Sequence, residues 1–251
     1  MDSAIEEARM YETILAEYGE RWGCRLERAA LDRFAVYARA LLEWNKRFNL
    51  TRITEYRDVY IKHFVDSVAA LQIYEVRACG ELLDVGSGAG FPGLALKIAR
   101  PEMGIVLCDS LIKRVTFLEH ATAMLSVSAE CVHGRAEDLA RRGTGYRDRF
   151  PVVIARAVAP MPVLAEWCMP FVQPGGVFVA MKGRFAQDEL REAAPAIMAL
   201  KGEVSRVEPY TLPYAEGERE LIVVCKTAAT PARFPRRAGE AVRRPLRGPD
   251  V

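Results

Sequence analysis

Glu81-Leu82-Leu83-Asp84-Val85-Gly86-Ser87-Gly88-Ala89-Gly90-Phe91-Pro92-Gly93 reads as a buried strand, a glycine turn and the start of a helix. The apolar run ends in a carboxylate, and Gly86, Gly88 and Gly90 then occupy alternate positions. Without a Cβ, backbone can pass close to a ligand and take dihedrals that other residues avoid. Pro92 suits the first position of a helix because its φ is already near the helical value. The helix expected there, over residues 92–100, points its unpaired N–H groups back at whatever lies in the turn. Such a turn reads as a ligand cradle.

Two cofactor classes use turns of this kind, and both patterns are present. Gly88-Ala89-Gly90-Phe91-Pro92-Gly93 is a G-x-G-x-x-G, as in dinucleotide-binding folds. Asp84-x-Gly86-x-Gly88-x-Gly90 resembles instead the first motif of S-adenosylmethionine (AdoMet) methyltransferases. A dinucleotide would set its pyrophosphate at the turn, where a carboxylate ending the strand repels it. AdoMet carries an ammonium and a sulfonium and no phosphate, so the charge of Asp84 favours it. The expectation is AdoMet held at Gly86, Ser87, Gly88, Gly90 and Phe91, with Asp84 favouring it electrostatically.

The rest of the chain fits a soluble α/β protein. Its 251 residues can bury a sizeable core, and the hydrophobic and charged fractions, 51% and 27%, are those of a globular chain. No apolar run approaches a membrane span, and Met1-Asp2-Ser3-Ala4-Ile5-Glu6-Glu7 lacks the layout of a secretion signal. The six cysteines are scattered, with no C-x-x-C and no histidine at metal spacing, which predicts a reducing cytoplasm and no metal site. The net charge of +2 conceals an asymmetry: residues 226–251 carry a net of +5, leaving −3 for the remainder. A basic, proline-containing tail reads either as an arm that touches a polyanion or as a solvated terminus.

Helices are expected over residues 2–20, 26–48 and 58–74, forming a helical cap (1–78) ahead of a ligand-binding domain (79–227) and the tail (228–251). In the second helix Leu31, Phe34, Ala35, Ala38, Ala40, Leu41 and Leu42 supply an apolar stripe. From Glu81 the pattern alternates strand and helix, the signature of a parallel sheet. Strands are expected at 81–86, 104–109, 129–133, 151–156 and 176–182, and helices at 92–100, 111–125, 135–142, 160–169 and 186–200. A terminal hairpin, 203–210 with 219–226, suits a seven-stranded, mostly parallel methyltransferase sheet better than a six-stranded dehydrogenase sheet.

In such sheets ligands lie beyond the carboxyl ends of the strands, so strand ends become candidate site residues. Asp109 ends the second strand where a ribose diol would lie; the alternative role is capping the next helix, which Ser110 could also supply. The third leads into Gly134-Arg135-Ala136-Glu137, where the Ala136 backbone and the carboxylate of Glu137 or Asp138 could meet an adenine edge; the alternative role for these acids is complementing the helix dipole. The fourth ends at Arg156, facing the methyl group. Arginine stays protonated and is a poor base. It suits an acceptor that needs positioning but no deprotonation, such as guanine N7, and could hold O6, a phosphate or the donor carboxylate. The competing role for Arg156 is an ion pair with Asp84 or Glu166. Lys182, ending the fifth strand, could bind an RNA phosphate or be a solvated rim lysine.

With these residues assembled, the chain resembles the RsmG (GidB) family of small-subunit ribosomal RNA methyltransferases. The matching segments are Trp44 to Ile53, His63-Phe64-Val65-Asp66-Ser67, Asp84 to Gly93, Asp109 to Arg114, Gly134 to Leu139, Ala155 to Pro160 and Met181-Lys182-Gly183. Met161 stands where a leucine is more usual. The resemblance implies a Rossmann-like class I AdoMet-dependent methyltransferase acting on N7 of a guanine in 16S ribosomal RNA near the decoding site. It implies donor contacts at Gly86, Phe91, Asp109, Ser110, Leu111, Ala136, Glu137 and Arg156, no assigned general base, and the small ribosomal subunit or its precursor as partner. A monomer is expected. Asn45, Asn49, His63 and Asp66 either roof the donor pocket or are structural, with Asn49 capping a helix and His63 paired to Asp66. Lys46, Arg47, Arg52, Lys113 and Arg114 would add to an RNA-facing surface if they share a face. The competing readings are a small-molecule AdoMet methyltransferase and an RNA-binding assembly factor without activity.

Overall fold

Successive residues of the inner strands alternate between two apolar layers. Leu82, Ile105, Leu107, Val152, Ile154 and Val179 enter one layer, while Leu83, Val106, Cys108, Val153, Phe178 and Ala180 enter the other. Period-two alternation with both faces apolar is what a parallel sheet covered by helices requires. The computed structural model describes residues 2–156, 159–184 and 186–247. Ala157 and Val158 of the fourth-strand motif, and residues 248–251 of the tail, lie outside the described residues.

The strands are β1 (Glu81–Val85), β2 (Gly104–Asp109), β3 (Glu130–His133), β4 (Phe150–Arg156), β5 (Val172–Gly183), β6 (Gly202–Thr211) and β7 (Glu218–Lys226). They form one sheet in the order β3-β2-β1-β4-β5-β7-β6. The first five run parallel, and β7 lies antiparallel between β5 and β6. The expected seven-stranded, mostly parallel sheet is present. Its strand order reverses at β1, with β2 on one side and β4 on the other, which opens a crevice at their carboxyl ends.

Three local expectations change. The helix after the glycine turn is Gly93–Ala99, so Pro92 stands one residue before it. The helix expected over 135–142 is only Ala136–Leu139, because the Thr144 hydroxyl and the Arg147 guanidinium take the Leu139 and Ala140 carbonyls that would continue it. β5 begins at Val172, ahead of the expected residue 176, with an irregularity in its pairing to β4.

The layer on one face holds the N-terminal helices α1 (Asp2–Arg21) and α2 (Arg28–Phe48) with the helical segment Tyr56–Gln72. That segment widens to a π-helix over Val59–Val65, the turn that carries His63 just before Asp66. Widened turns of this kind recur at functional sites. Among the described residues, no helix is long and apolar enough to cross a membrane.

The tail packs on the opposite face as far as it is described. Phe234 and Ala241 are buried there. Arg147 donates to the carbonyls of Thr230, Pro231 and Phe234. Lys226 is fully buried, and its ammonium donates to Asp148 at 3.2 Å, Thr230 at 2.7 Å and the Met169 carbonyl at 2.6 Å. Arg236 chelates Glu166, a carboxylate with a side-chain exposure of 1%. Two of the cations counted toward a polyanion arm therefore hold the fold together.

Breaking a buried pair by removing one partner typically costs roughly 3–5 kcal/mol, because a charge is left behind uncompensated. Arg236→Ala should lose stability on that scale in urea denaturation. Adding Glu166→Leu to Arg236→Ala should restore most of the loss.

Candidate active site

Asp84 comes first in building the site, because the glycine turn is folded around it. Its carboxylate is fully buried. Oδ2 accepts the Gly93 N–H at 2.9 Å, while Oδ1 has no partner. A Cβ on Gly93 would lie 2.8 Å from that carboxylate, so only glycine allows the approach. Gly90, at φ 98, is the second position where no side chain fits, since its Cβ would strike the Tyr37 hydroxyl. Tyr37 is buried in α2 and donates to the Ala89 carbonyl within the turn. Composition and motif reading passed over Tyr37; its place on the apolar face of α2 was the available signal.

Asp84 does not lie at the surface of the crevice; it sits beneath the turn and pins the helix start. Burial pushes its carboxyl up to about 7, opposed chiefly by the Gly93 N–H hydrogen bond and, more weakly, by the Arg156 charge. The helix N–H groups are not aimed at the crevice either. Asp84 takes that of Gly93, and the Gly90 carbonyl takes that of Leu94 at 2.9 Å.

Asp109 is buried at the end of β2. Oδ2 accepts the Gly88 N–H at 2.9 Å and an Arg114 N–H at 3.1 Å, and Oδ1 accepts the Leu111 N–H at 2.9 Å. Neither Asp109 nor Ser110 caps the next helix, whose N-cap position is Leu111 with no side-chain cap bond; Asp109 instead holds the Leu111 N–H and ties the turn of β1 to β2. Both lone pairs of Oδ2 are thereby engaged, while Oδ1 keeps one for a further donor such as a ribose hydroxyl. Ser87 donates to the Asp84 carbonyl at 3.0 Å.

Two cavities meet at Gly86. One, of about 260 Å³, is bordered by Thr51, His63, Ser87, Gly88, Phe91 and Arg156 among others. The second, of about 110 Å³, is bordered by Ser110, Ala136, Glu137 and Trp167 among others. Glu137 is buried, and its Oε1 accepts the Gly239 N–H of the tail at 2.9 Å. The indole N–H of Trp167 is buried without a partner beside this cavity. Of the expected donor residues, Gly86, Ser87, Gly88, Phe91, Ser110, Ala136, Glu137 and Arg156 border these cavities, while Gly90 and Asp109 support the turn behind them. Leu111 is half-exposed at the start of the helix Ile112–Met124.

Arg156, ending β4, has neither of its expected partners. Its guanidinium donates to Asp66 Oδ2 at 2.7 Å, to His63 Nδ1 at 3.0 Å and to the Lys62 carbonyl at 3.2 Å. It also lies over the Phe91 ring at 5.0 Å, and the His63 ring stacks on Phe91 at 4.2 Å. Asp84 and Glu166 are not its ion-pair partners because Asp66 is presented directly opposite by the cap. His63 is likewise not paired to Asp66, whose Oδ1 accepts the Tyr210 hydroxyl at 2.7 Å. Burial, followed by the Arg156 charge, holds the His63 imidazole well below its usual range, so it is neutral.

Lys182 is not brought to either cavity. Its ammonium is paired with Glu189 at 2.6 Å and donates to the Ala159 carbonyl at 3.2 Å. Asn49 does cap α2 in the left-handed conformation, its N–H donating to Asn45 O. Lys46, Arg52 and Arg114 border a third cavity, of about 990 Å³, which shares Thr51 and Arg114 with the first.

The donor set fits AdoMet. A buried carboxylate with an unpartnered oxygen lies under the glycine turn, with a second carboxylate ending β2 and an unpartnered N–H donor beside the smaller cavity.

Comparisons with known proteins agree with this geometry. The family model described as rRNA small subunit methyltransferase G matches residues 30–221. The chain is 46% identical over 241 residues to the Ribosomal RNA small subunit methyltransferase G of Geobacillus kaustophilus, spanning 96% of this chain and 99% of that one. Its counterpart of the same name in Lactobacillus acidophilus is 46% identical over 218 residues, 86% of this chain and 90% of the other. Among solved structures, the O-methyltransferase TomG of Streptomyces achromogenes in complex with SAM aligns with a TM-score of 0.52 at 16% identity, covering 88% of this chain and 99% of that chain. An O-methyltransferase of Bacillus cereus in complex with SAH gives a TM-score of 0.52 at 13% identity, covering 76% and 91%. At those identities the structural likeness concerns the fold, that of class I AdoMet methyltransferases. The extent of the sequence match goes further: the chain belongs to the rRNA small subunit methyltransferase G family.

Proposed function

We propose that this chain methylates N7 of a guanine in 16S ribosomal RNA near the decoding site, with AdoMet as methyl donor. The observation that carries the reading is continuity between two spaces. The cavity at the glycine turn shares Thr51 and Arg114 with a larger groove whose border includes Lys46 and Arg52. A donor pocket opening into a basic groove suits an RNA strand, which presents phosphates beside its bases. A small-molecule acceptor would have no use for that groove.

When bound, AdoMet supplies an electrophilic methyl group. The residues of the chain supply placement. Attack by guanine N7 produces a cationic purine and leaves no proton to remove, so the site needs no base. His63 agrees with that requirement, since Arg156 occupies its Nδ1 and Thr51 its Nε2. Arg156, held on Phe91 and by Asp66, is a rigid cation bordering the cavity. In-line alignment then carries most of the acceleration. Lys182 has no part in this arrangement.

The direct test supplies AdoMet and small subunits from a strain lacking the enzyme, followed by mass spectrometry of ribonuclease fragments. One guanine carrying an added methyl at N7 is expected; subunits returned unmethylated would refute the proposal.

Arg156→Lys keeps the charge but cannot bond Asp66 and His63 together with the same planar fork. It should fold, yet lose methyl transfer by about tenfold to a hundredfold, the effect of a small misplacement.

Asp84 predicts a pH dependence. Its carboxyl holds a proton up to about pH 7 in the folded chain, against about pH 4 when unfolded. Ionisation therefore weakens the fold as pH rises between those values. Relative to Asp84→Asn, stability should fall by something on the order of 4 kcal/mol over the interval, measured by urea denaturation. Ionised Asp84 attracts a sulfonium but not the neutral sulfur of S-adenosylhomocysteine (AdoHcy). The ratio of AdoMet to AdoHcy affinity should accordingly rise a few-fold from about pH 6 to about pH 8, and stay flat in Asp84→Asn.

A further inference from the structure

We propose that the Thr51 hydroxyl is a binding residue of the donor pocket, donating its proton to the carboxylate of the donor's methionine part. The proposal rests on AdoMet being the donor. It follows from a chain of hydrogen bonds whose directions are all fixed by their first member.

Arg156 can only donate. Because its guanidinium lies 3.0 Å from His63 Nδ1, that nitrogen must be the acceptor. A neutral imidazole carries its single proton on the other nitrogen, so Nε2 is the donor. Nε2 lies 3.0 Å from Thr51 Oγ1, which therefore accepts from it. Thr51 Oγ1 also accepts the Ile53 N–H at 3.1 Å. A hydroxyl has two lone pairs and one proton, and both lone pairs are now engaged. The hydroxyl can act on anything else only as a donor, and no described side chain or carbonyl takes its proton.

The position is fixed as firmly as the direction. Asn45 grips the Thr51 backbone from both sides, donating to its carbonyl at 2.9 Å and accepting its N–H at 2.9 Å. Thr51 borders the cavity at the glycine turn, together with Gly86, Gly88, Arg114 and Arg156. Two arginines and no carboxylate border that space among the described residues, so it suits an anionic group. AdoMet has one such group, and it lies at the end of the molecule away from adenine. The smaller cavity, on the other side of Gly86, is left for the adenine.

Calorimetry on the full-length chain tests this with three ligands. AdoMet and AdoHcy carry the carboxylate; 5′-methylthioadenosine keeps the adenosine and sulfur but lacks the amino-acid part. Thr51→Val should bind AdoMet and AdoHcy about tenfold more weakly, the effect of removing one hydrogen bond to a charged group. The same variant should bind methylthioadenosine as the unaltered chain does. Thr51→Ser, which restores the hydroxyl, should recover AdoMet affinity to within about twofold. Equal weakening of all three ligands would assign Thr51 a packing role and overturn the proposal. Unchanged AdoMet affinity with a raised KM for the small subunit would place the accepting oxygen on the RNA and overturn it as well. Failure of the unaltered chain to bind AdoMet at all would remove the donor reading, and this assignment with it.

Discussion

A carboxylate buried from solvent sets the geometry of this site. Asp84 ends β1 beneath the glycine turn and accepts the Gly93 N–H, fastening the end of a strand to the beginning of a helix. Burying a carboxylate with one oxygen unpartnered is costly, and the elevated carboxyl range of Asp84 is the physical sign of that cost. A cation on the far side of the turn would stabilise charge at this position, whereas a phosphate would oppose it. Tyr37 behind Ala89 and Asp109 behind Gly88 hold the remainder of the turn, so its shape comes from three elements packed around it.

Arg156 performs a comparable task between layers. It reaches from the end of β4 to the helical segment of the cap, where Asp66, His63 and the Lys62 carbonyl receive its protons. Phe91, from the glycine turn, lies against both Arg156 and His63. Cap, sheet and turn thus converge on one cluster. Because arginine can only donate, the cluster also has a single proton arrangement, which holds His63 in one tautomer.

The basic tail illustrates how charge counted along a chain differs from charge available in space. Lys226 and Arg236 are enclosed with Asp148 and Glu166, and Arg247 pairs with Glu192. The Gly239 N–H of the tail holds Glu137 at the smaller cavity. Positive charge beside the site comes instead from Lys46, Arg52 and Arg114, which are separated in sequence and adjacent in the groove.

Much of the protein was legible from its residues. Alternating strand and helix patterns announced a parallel sheet, the hairpin after five such repeats announced two further strands, and the alternating glycines located the crevice. These features are local: they depend on backbone dihedrals and on side-chain period, both written in consecutive residues. Partners across the fold were not legible. Asp66 and not Asp84 or Glu166 meets Arg156, Thr51 and not Asp66 meets His63, and Glu189 takes Lys182. A charge can pair with any opposite charge that packing brings near, and packing here joins residues as far apart as Asp66 and Arg156. The sequence by itself determined the sheet, the glycine turn and the class of donor. Only the tertiary structure decided that Asp84 works from underneath, that the tail belongs to the body, and which way each proton points.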